Sequence, residues 1–209
     1  MAIAFELQEV TCRFGELNAV DSVTLRVGQG ERIALIGPSG GGKTTLLRAL
    51  NTIRAPEAGT ISVFGEEVSG FSPRQLRELR SRIAFIPQNL GLVGNLRVIQ
   101  NVILGKGGTR GTVQSIRDIL VPTAEDRLGI HEILERVGIE EKLYQRTDRL
   151  SGGQQQRVAI ARALFQGAEA ILADEPVSSV DPARARDTVR LLGELAEERS
   201  FTLCMSLHN

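Results

Sequence analysis

Apolar residues recur along this chain with two different periods, and the switches between the periods mark out its elements. Phe5 and Leu7, then Val23, Leu25 and Val27, alternate with polar neighbours, so the segment up to Val27 reads as an antiparallel β layer of half-buried strands. Ile33-Ala34-Leu35-Ile36 is a continuous apolar run that reads as a strand, and Leu46, Leu50 and Ile53 follow it at helical spacing. Ile61 and Val63 suggest a further strand. Ser72-Pro73 supplies an N-cap and a first helical residue for a short helix carrying Leu76 and Leu79, and Ile83 to Ile86 reads as a buried strand ending at Pro87-Gln88.

The pattern then turns helical. Val113, Ile116 and Leu120 form a stripe that stops at Pro122, and Ile130, Ile133, Leu134 and Val137 form another that stops at Gly138. The glycine-rich stretch from Gly105 to Thr112 carries Lys106 and Arg110, but no strand precedes it, so it reads as a flexible connector rather than a phosphate loop. Strand character returns at Ile171-Leu172-Ala173. A helix follows Asp181-Pro182 with Ala185, Val189 and Leu192 on one face, and Phe201 to Leu207 is a last apolar strand. Strands alternating with helices imply a parallel α/β core, with the helical stretch between Gln88 and about Phe165 inserted as a subdomain at its side. No internal repeat or coiled-coil heptad interrupts this order.

Composition narrows the picture without redirecting it. A length of 209 residues suits one full core with a small subdomain. Lys plus Arg and Asp plus Glu both total 25, so the formal net charge is zero and nothing global draws the chain toward nucleic acid or an acidic membrane surface. Cys12 and Cys204 both lie in apolar strand-like segments, far apart and outside any metal or redox motif, which reads as two buried thiols in a reducing compartment. The start, Met1-Ala2-Ile3-Ala4-Phe5-Glu6, has no basic segment and no long apolar core, and no run approaches the roughly 18 apolar residues of a membrane span. A soluble, cytoplasmic chain is the expectation.

Chemistry concentrates where a strand passes into a helix. Gly37-Pro38-Ser39-Gly40-Gly41-Gly42-Lys43-Thr44 has the spacing GxxxxGK[ST] of a P-loop, between the run Ile33 to Ile36 and the helix of Leu46 and Leu50. Glycines there let backbone N–H groups curl around phosphate oxygens, and the helix N-terminus adds positive potential. Lys43 is placed to reach β- and γ-phosphates, Thr44 to offer its hydroxyl to Mg²⁺, and Thr45 continues the nucleotide-binding stretch. Asp174-Glu175 closes the strand Ile171 to Ala173, so both carboxylates fall at the C-terminal end of the parallel sheet. Beside a P-loop they form a Walker B pair, Asp174 for the metal and Glu175 for the water that attacks the γ-phosphorus. Leu150-Ser151-Gly152-Gly153-Gln154 opens the helix of Val158, Ala161 and Phe165 with a capping box, Ser151 paired to Gln154, and its glycine amides make a second anion-binding helix start far in sequence from the first.

P-loop, Walker B pair and this serine-glycine-glycine-glutamine helix start together resemble the ATP-binding cassette family, whose members present the last motif across a dimer interface to the nucleotide of a partner. The resemblance implies roles for further positions, in the family's order. Phe14 in Arg13-Phe14-Gly15 matches the aromatic that stacks on adenine. Gln88 matches the glutamine that touches Mg²⁺ or water and links core to helical subdomain. Ser178-Ser179-Val180-Asp181 resembles the D-loop, which implies a nucleotide-binding role for Asp181, although Asp181 before Pro182 could equally be an N-cap. His208 matches the switch histidine at the γ-phosphate. His131 fits no motif and reads as a surface residue.

The resemblance runs from about Ala4 to His208 and implies a single nucleotide-binding domain over residues 1–209. Residues 1–88 and 166–209 form its P-loop core with β layer, and 89–165 its helical subdomain. It implies ATP and Mg²⁺ as cofactors and a head-to-tail dimer with two ATP molecules sandwiched between P-loops and signature motifs. Separate integral membrane permease subunits would dock near Gln88 and the Asn89 to Leu104 segment, a solute-binding protein would act indirectly, no nucleic acid would take part, and the chain would lie at the cytoplasmic face of the membrane. Leu92 to Val102 and Gly129 to Gly138 look like the phosphonate-import cassettes. Cassettes of this family usually continue past the switch histidine, whereas this sequence stops at Asn209; either a shortened cassette or a longer chain cut at this point is the expectation, with a sheet edge left bare. The competing readings are a soluble cassette ATPase outside transport, against which stand the lack of a long coiled coil, a zinc-ligand pattern or a basic excess, and a regulatory subunit that binds ATP without hydrolysing it, against which stand Lys43, Glu175 and His208.

Overall fold

A computed structural model of the chain describes residues 2–108, 112–177 and 182–207. Strands β1 (Ile3–Phe14) and β2 (Leu17–Gly28) form a long antiparallel hairpin in which Phe5 faces Val27, Leu7 faces Leu25 and Val10 faces Val23. That register puts the alternating apolar residues of both strands on one face, as the sequence pattern requires. After β3 (Arg32–Ile36) and helix α1 (Lys43–Leu50), strand β4 (Ala58–Val63) returns to the other edge of β1 and β5 (Glu66–Glu67) pairs with it, giving the sheet order β2-β1-β4-β5.

Helix α2 (Pro73–Ser81) leads into β6 (Ile83–Ile86), and Ser72 and Gln75 form a reciprocal capping box at its start, with Pro73 at the first helical position. The chain then runs through α3 (Val98–Ile103), α4 (Thr112–Leu120), α5 (Ala124–Arg136) and α6 (Gly152–Gln166) before returning with β7 (Ala170–Asp174), α7 (Pro182–Arg199) and β8 (Thr202–Leu207). β3, β8, β7 and β6 make a parallel sheet in that order. Phe201 falls just outside the last strand but is buried.

Two apolar cores share the parallel sheet, one on each face. On one side Leu47, Ala49 and Leu50 of α1 pack between Phe5, Leu7, Ile61 and Val63 of the antiparallel layer and Leu172 and Cys204 of the parallel one. On the other side Ile171, Ala173, Leu203 and Met205 meet Leu192 and Leu195 of α7, and the same cluster continues into Val102, Ile130, Leu134 and Ile160 of the helices between β6 and β7. Burial on both faces explains why β7 is apolar without alternation up to its terminal aspartate.

One feature of the sheet edge is new and one expectation from the sequence needs correction. The run Ile33 to Ile36 forms a strand at the sheet edge: Ile33 and Leu35 pack toward α1, whereas Ala34 and Ile36 face outward, Ile36 at 65% exposure. Among the described residues no strand pairs with the outer edge of β3. The expected flexible connector is partly structured, since Leu104–Gly108 forms a 3₁₀ turn. Gly105 lies so close to α6 that a Cβ there would stand 2.4 Å from the Arg162 carbonyl oxygen, so the glycine serves close packing rather than flexibility. Residues 109–111 lie outside the described residues.

Candidate functional site

The phosphate-binding loop lies between β3 and α1. Gly42 caps α1 in the left-handed region at φ 80°, and a Cβ on it would stand 2.0 Å from the Ala19 carbonyl oxygen, so only glycine fits. Gly40, also at positive φ, and Gly41, Gly42, Lys43, Thr44 and Thr45 line a cleft of about 170 Å³ together with Phe14, Ala19 and Glu175. Lys43 is nearly buried, and its Nζ donates to the carbonyls of Gly37 and Pro38, both at 2.8 Å, across the mouth of the loop. A buried ammonium held by carbonyls on the rim of a glycine-lined cleft is a ready partner for an anionic ligand. Ser39 is exposed on the same loop.

The carboxylates come in from the parallel sheet. Asp174, the last residue of β7, is buried, and its Oδ1 accepts from Thr44 Oγ1 at 2.9 Å and from Ser206 Oγ at 2.9 Å. Ser206 lies on β8 directly beside Asp174 in the parallel register, and its oxygen also accepts from the Glu175 N–H at 2.8 Å. Glu175 itself has a left-handed backbone, φ 49°, a conformation that non-glycine residues adopt at a cost and that turns its carboxylate out of the strand direction and into the cleft. Gln88, two residues beyond β6, reaches that carboxylate: its Nε2 donates to Glu175 Oε2 at 2.8 Å. The ends of β6, β7 and β8 and the start of α1 therefore bring Gln88, Glu175, Asp174, Ser206 and Thr44 into one hydrogen-bonded chain.

The second glycine-containing helix start is a separate surface. Ser151 caps α6, accepting from the Gln154 N–H while the Gln154 side-chain oxygen accepts from the Ser151 N–H at 3.0 Å. Gly152 is exposed, and a Cβ on Gly153 would meet nothing within 4 Å. None of Ser151, Gly152, Gly153 or Gln154 lines the P-loop cleft. The helix they open is tied to the turn after Gln88 by Arg162, whose guanidinium donates to the carbonyls of Leu90 and Gly91, both at 2.6 Å. Burial pushes the Arg162 pKa down from its ordinary value. Upstream, Asn101 and Thr147, both fully or almost fully buried, clamp the segment from Val93 to Arg97 against the segment leading to Ser151, with Asn101 Oδ1 accepting from Val93 at 2.8 Å.

Comparison with known proteins agrees with this geometry. The family model described as ABC transporter matches residues 20–178. The chain belongs to the ABC transporter family. The cassette is 45% identical over 98% of its length to a phosphonates import ATP-binding protein, PhnC, of Rhizobium johnstonii, covering 72% of that relative. It is likewise 45% identical over 98% of its length to a protein of the same name from Frankia casuarinae, covering 80% of it. A dimeric post-hydrolysis structure of the ATP-binding cassette MJ0796, bound to ADP and Pi, matches with a TM-score of 0.83 at 31% identity, over 98% of this chain and 88% of that one. Clostridium perfringens cbiO1, part of the ABC transporter complex cbiONQ, matches with a TM-score of 0.85 at 26% identity, over 100% of this chain and 80% of that one. Membership makes this chain a nucleotide-binding ATPase subunit.

Of the cassette residues singled out in the sequence, Phe14, Gly40 to Thr45 and Glu175 meet in the cleft, while Gln88 and Asp174 join them through hydrogen bonds. Asp181 and His208 lie outside the described residues. Sequence reasoning passed over Ser206, Arg162 and the Asn101–Thr147 pair. Ser206 left one signal, a hydroxyl that interrupts the apolar run Leu203 to Leu207, whereas Arg162 looked like any polar residue of an amphipathic helix.

Proposed function

We propose that this cassette is the ATP-hydrolysing subunit of an importer for phosphonates, working as a head-to-tail homodimer on separate membrane permease subunits. The observation that carries the hydrolytic part is the chain of hydrogen bonds from Thr44 through Asp174 and Ser206 to Glu175, beside a buried lysine and a glycine-lined cleft. The transport part and the phosphonate assignment rest on the relatives' names.

In this reading adenine stacks on Phe14, the phosphates lie on the backbone N–H groups of Ser39 to Thr45 in the loop that Gly37 and Pro38 open, and Lys43 pairs with the β- and γ-phosphates. Thr44 and Asp174 present hard oxygen donors, one of them anionic, 2.9 Å apart, a set that suits Mg²⁺. They would hold the ion, which supplies positive charge to offset that of the phosphates. Gln88 orients Glu175, and Glu175 takes a proton from the attacking water. Ser151, Gly152, Gly153 and Gln154 of a second copy close over the γ-phosphate, with Asp181 and His208 completing the site. Division into a core of residues 1–88 and 166–209 and a helical subdomain of 89–165 lets closure and reopening move α6 relative to the P-loop. The Arg162 bonds to Leu90 and Gly91 transmit that movement to the turn after Gln88.

A cavity of about 570 Å³ between α2, β6 and α6 supports a docking place for the permease on the cytoplasmic side. Its lining combines Leu76, Phe85 and Leu104 with Arg77, Arg80 and Arg162 and, among the described residues, contains no carboxylate, which favours a short amphipathic segment bearing an acidic side chain. No helix among the described residues is long and apolar enough to cross a membrane, so the solute pathway would belong to the partner subunits.

Disruption of the gene tests the assignment. Growth on a phosphonate as sole phosphorus source should fail and return with the intact cassette but not with Glu175→Gln. Unchanged growth of the disrupted strain would rule out the phosphonate assignment. ATPase activity of the purified chain, lost in Lys43→Ala and in Ser151→Arg, tests the hydrolytic site and its sharing between two copies. Undiminished dimerisation of Ser151→Arg in ATP would refute the interface role.

A further inference from the structure

Phe14 does not stand alone at the mouth of the cleft. It is 49% exposed, and the guanidinium carbon of Arg54 lies 4.7 Å from its ring centroid, within the range of a cation–π contact. Arg54 belongs to the turn that leaves α1, where its own N–H donates to the Arg48 carbonyl, and it does not line the P-loop cleft. One side of the ring therefore meets Arg54 while the aromatic still borders the cleft that Gly40 to Thr45 occupy.

Arg54 is fixed by more than the ring. Its Nη2 donates to the Arg13 carbonyl and to Glu57 Oε1. The other Glu57 oxygen accepts from the Arg13 N–H at 2.8 Å, and the Glu57 N–H donates to the Thr11 carbonyl at 2.9 Å, anchoring the acid at the start of β4. The peptide groups on both sides of Arg13 and the ring of Phe14 are thus gripped by one ion pair whose arginine is rooted at the end of the P-loop helix.

We infer that Arg54 is a positioning residue for adenine: with Glu57 it braces Phe14 from behind and leaves one ring face for the base, at a fixed distance from the phosphate loop. The inference rests on the reading of Phe14 as the adenine stack. Bracing lowers the ordering cost of base binding because the ring is already oriented. It also ties ring and phosphate loop together through α1, so base and triphosphate are recognised as one unit.

Binding of ATP and of inorganic tripolyphosphate to the full chain separates this from a merely structural role. Phe14→Ala should weaken ATP binding by about 5- to 150-fold, the range for loss of base stacking on an aromatic ring. Arg54→Ala should weaken it by about 2- to 5-fold, the range for an exposed cation–π contact. Arg54→Lys should recover most of the loss, and tripolyphosphate should bind all variants like the parent. If Arg54→Ala does not fold, Arg54→Met keeps the apolar stem and removes the charge, with the same expectation. If Phe14→Ala weakens ATP binding and the uncharged Arg54 variants do not, the inference fails while the stacking reading stands. Parental ATP affinity in Phe14→Ala removes the stacking reading itself. Equal weakening of ATP and tripolyphosphate by an Arg54 variant places its effect on the P-loop and overturns the inference.

Discussion

Gln88 Nε2 donates to Glu175 Oε2 at 2.8 Å, so the turn after β6 and the carboxylate after β7 are held by one hydrogen bond. Gln88→Ala should lower kcat while leaving KM for ATP near the parental value, because the bond orients the proposed base and does not hold the nucleotide. Glu175→Gln should lower kcat by about 10²- to 10⁴-fold, as loss of general-base catalysis does, and still bind ATP. Steady-state ATPase kinetics on the two variants checks both expectations, and parental turnover by Glu175→Gln would falsify the base assignment.

Ser206→Ala removes an acceptor of the Glu175 N–H and a donor to Asp174. A hydrogen bond to a buried carboxylate contributes about 1.5–3 kcal/mol, so urea unfolding should show a loss in that range. The same hydroxyl holds the N–H of Glu175, whose left-handed backbone aims its carboxylate into the cleft, so kcat should fall as well. Ser206→Thr, which keeps the hydroxyl, should retain more of both.

Glu169 receives Nε and Nη2 of Arg82 at 2.6 and 3.1 Å, and this hydrogen bonding holds its carboxyl below the usual carboxylate range. A pKa lower in the folded than in the unfolded chain stabilises the fold above the unfolded value. That contribution disappears as pH falls through the folded value. Both side chains are partly exposed, so the contribution is about 0.2–1 kcal/mol. Glu169→Gln should therefore be slightly less stable than the parent at pH 7, with the difference vanishing in strongly acidic buffer, as read by denaturant titration at a series of pH values.

Cys204 lies at 0% exposure on β8, and burial pushes its thiol pKa up to about 12. Burial raises the pKa of Cys12 as well. Because the thiolate is the reacting species, iodoacetamide at pH 8 should label neither cysteine in the native chain and both in denaturant. Mass spectrometry of the alkylated protein reads this directly, and rapid native labelling of Cys204 would contradict its burial.

The parallel sheet, the antiparallel layer and the caps were legible because they depend on local spacing. Phe5, Leu7 and Val27 alternate, Ser72 and Ser151 stand three residues before glutamines, and Gly42-Lys43-Thr44 follows an apolar strand. Such signals need only neighbours along the chain. The apolar run Ile33 to Ile36 was legible as a strand but gave no sign that Ala34 and Ile36 are exposed, because apolar character does not reveal whether a strand is central or at an edge. The glycines from Gly105 onward suggested flexibility, but contact with the backbone of α6, which lies some fifty residues further on, decided the conformation of Gly105.

From residue order alone followed the motifs, their order and the chemistry each can carry: a phosphate loop at Gly37 to Thr44, carboxylates at Asp174 and Glu175, a capped glycine helix start at Ser151. Tertiary structure decided which side chains meet. Ser206 bridges Asp174 and Glu175 only because β8 lies beside β7 in parallel register, and Arg54 backs Phe14 only because the end of α1 packs against the hairpin. Hydrogen bonds and ring contacts act over about 3–5 Å, and residues dozens of positions apart reach that distance only when sheets and helices close into layers.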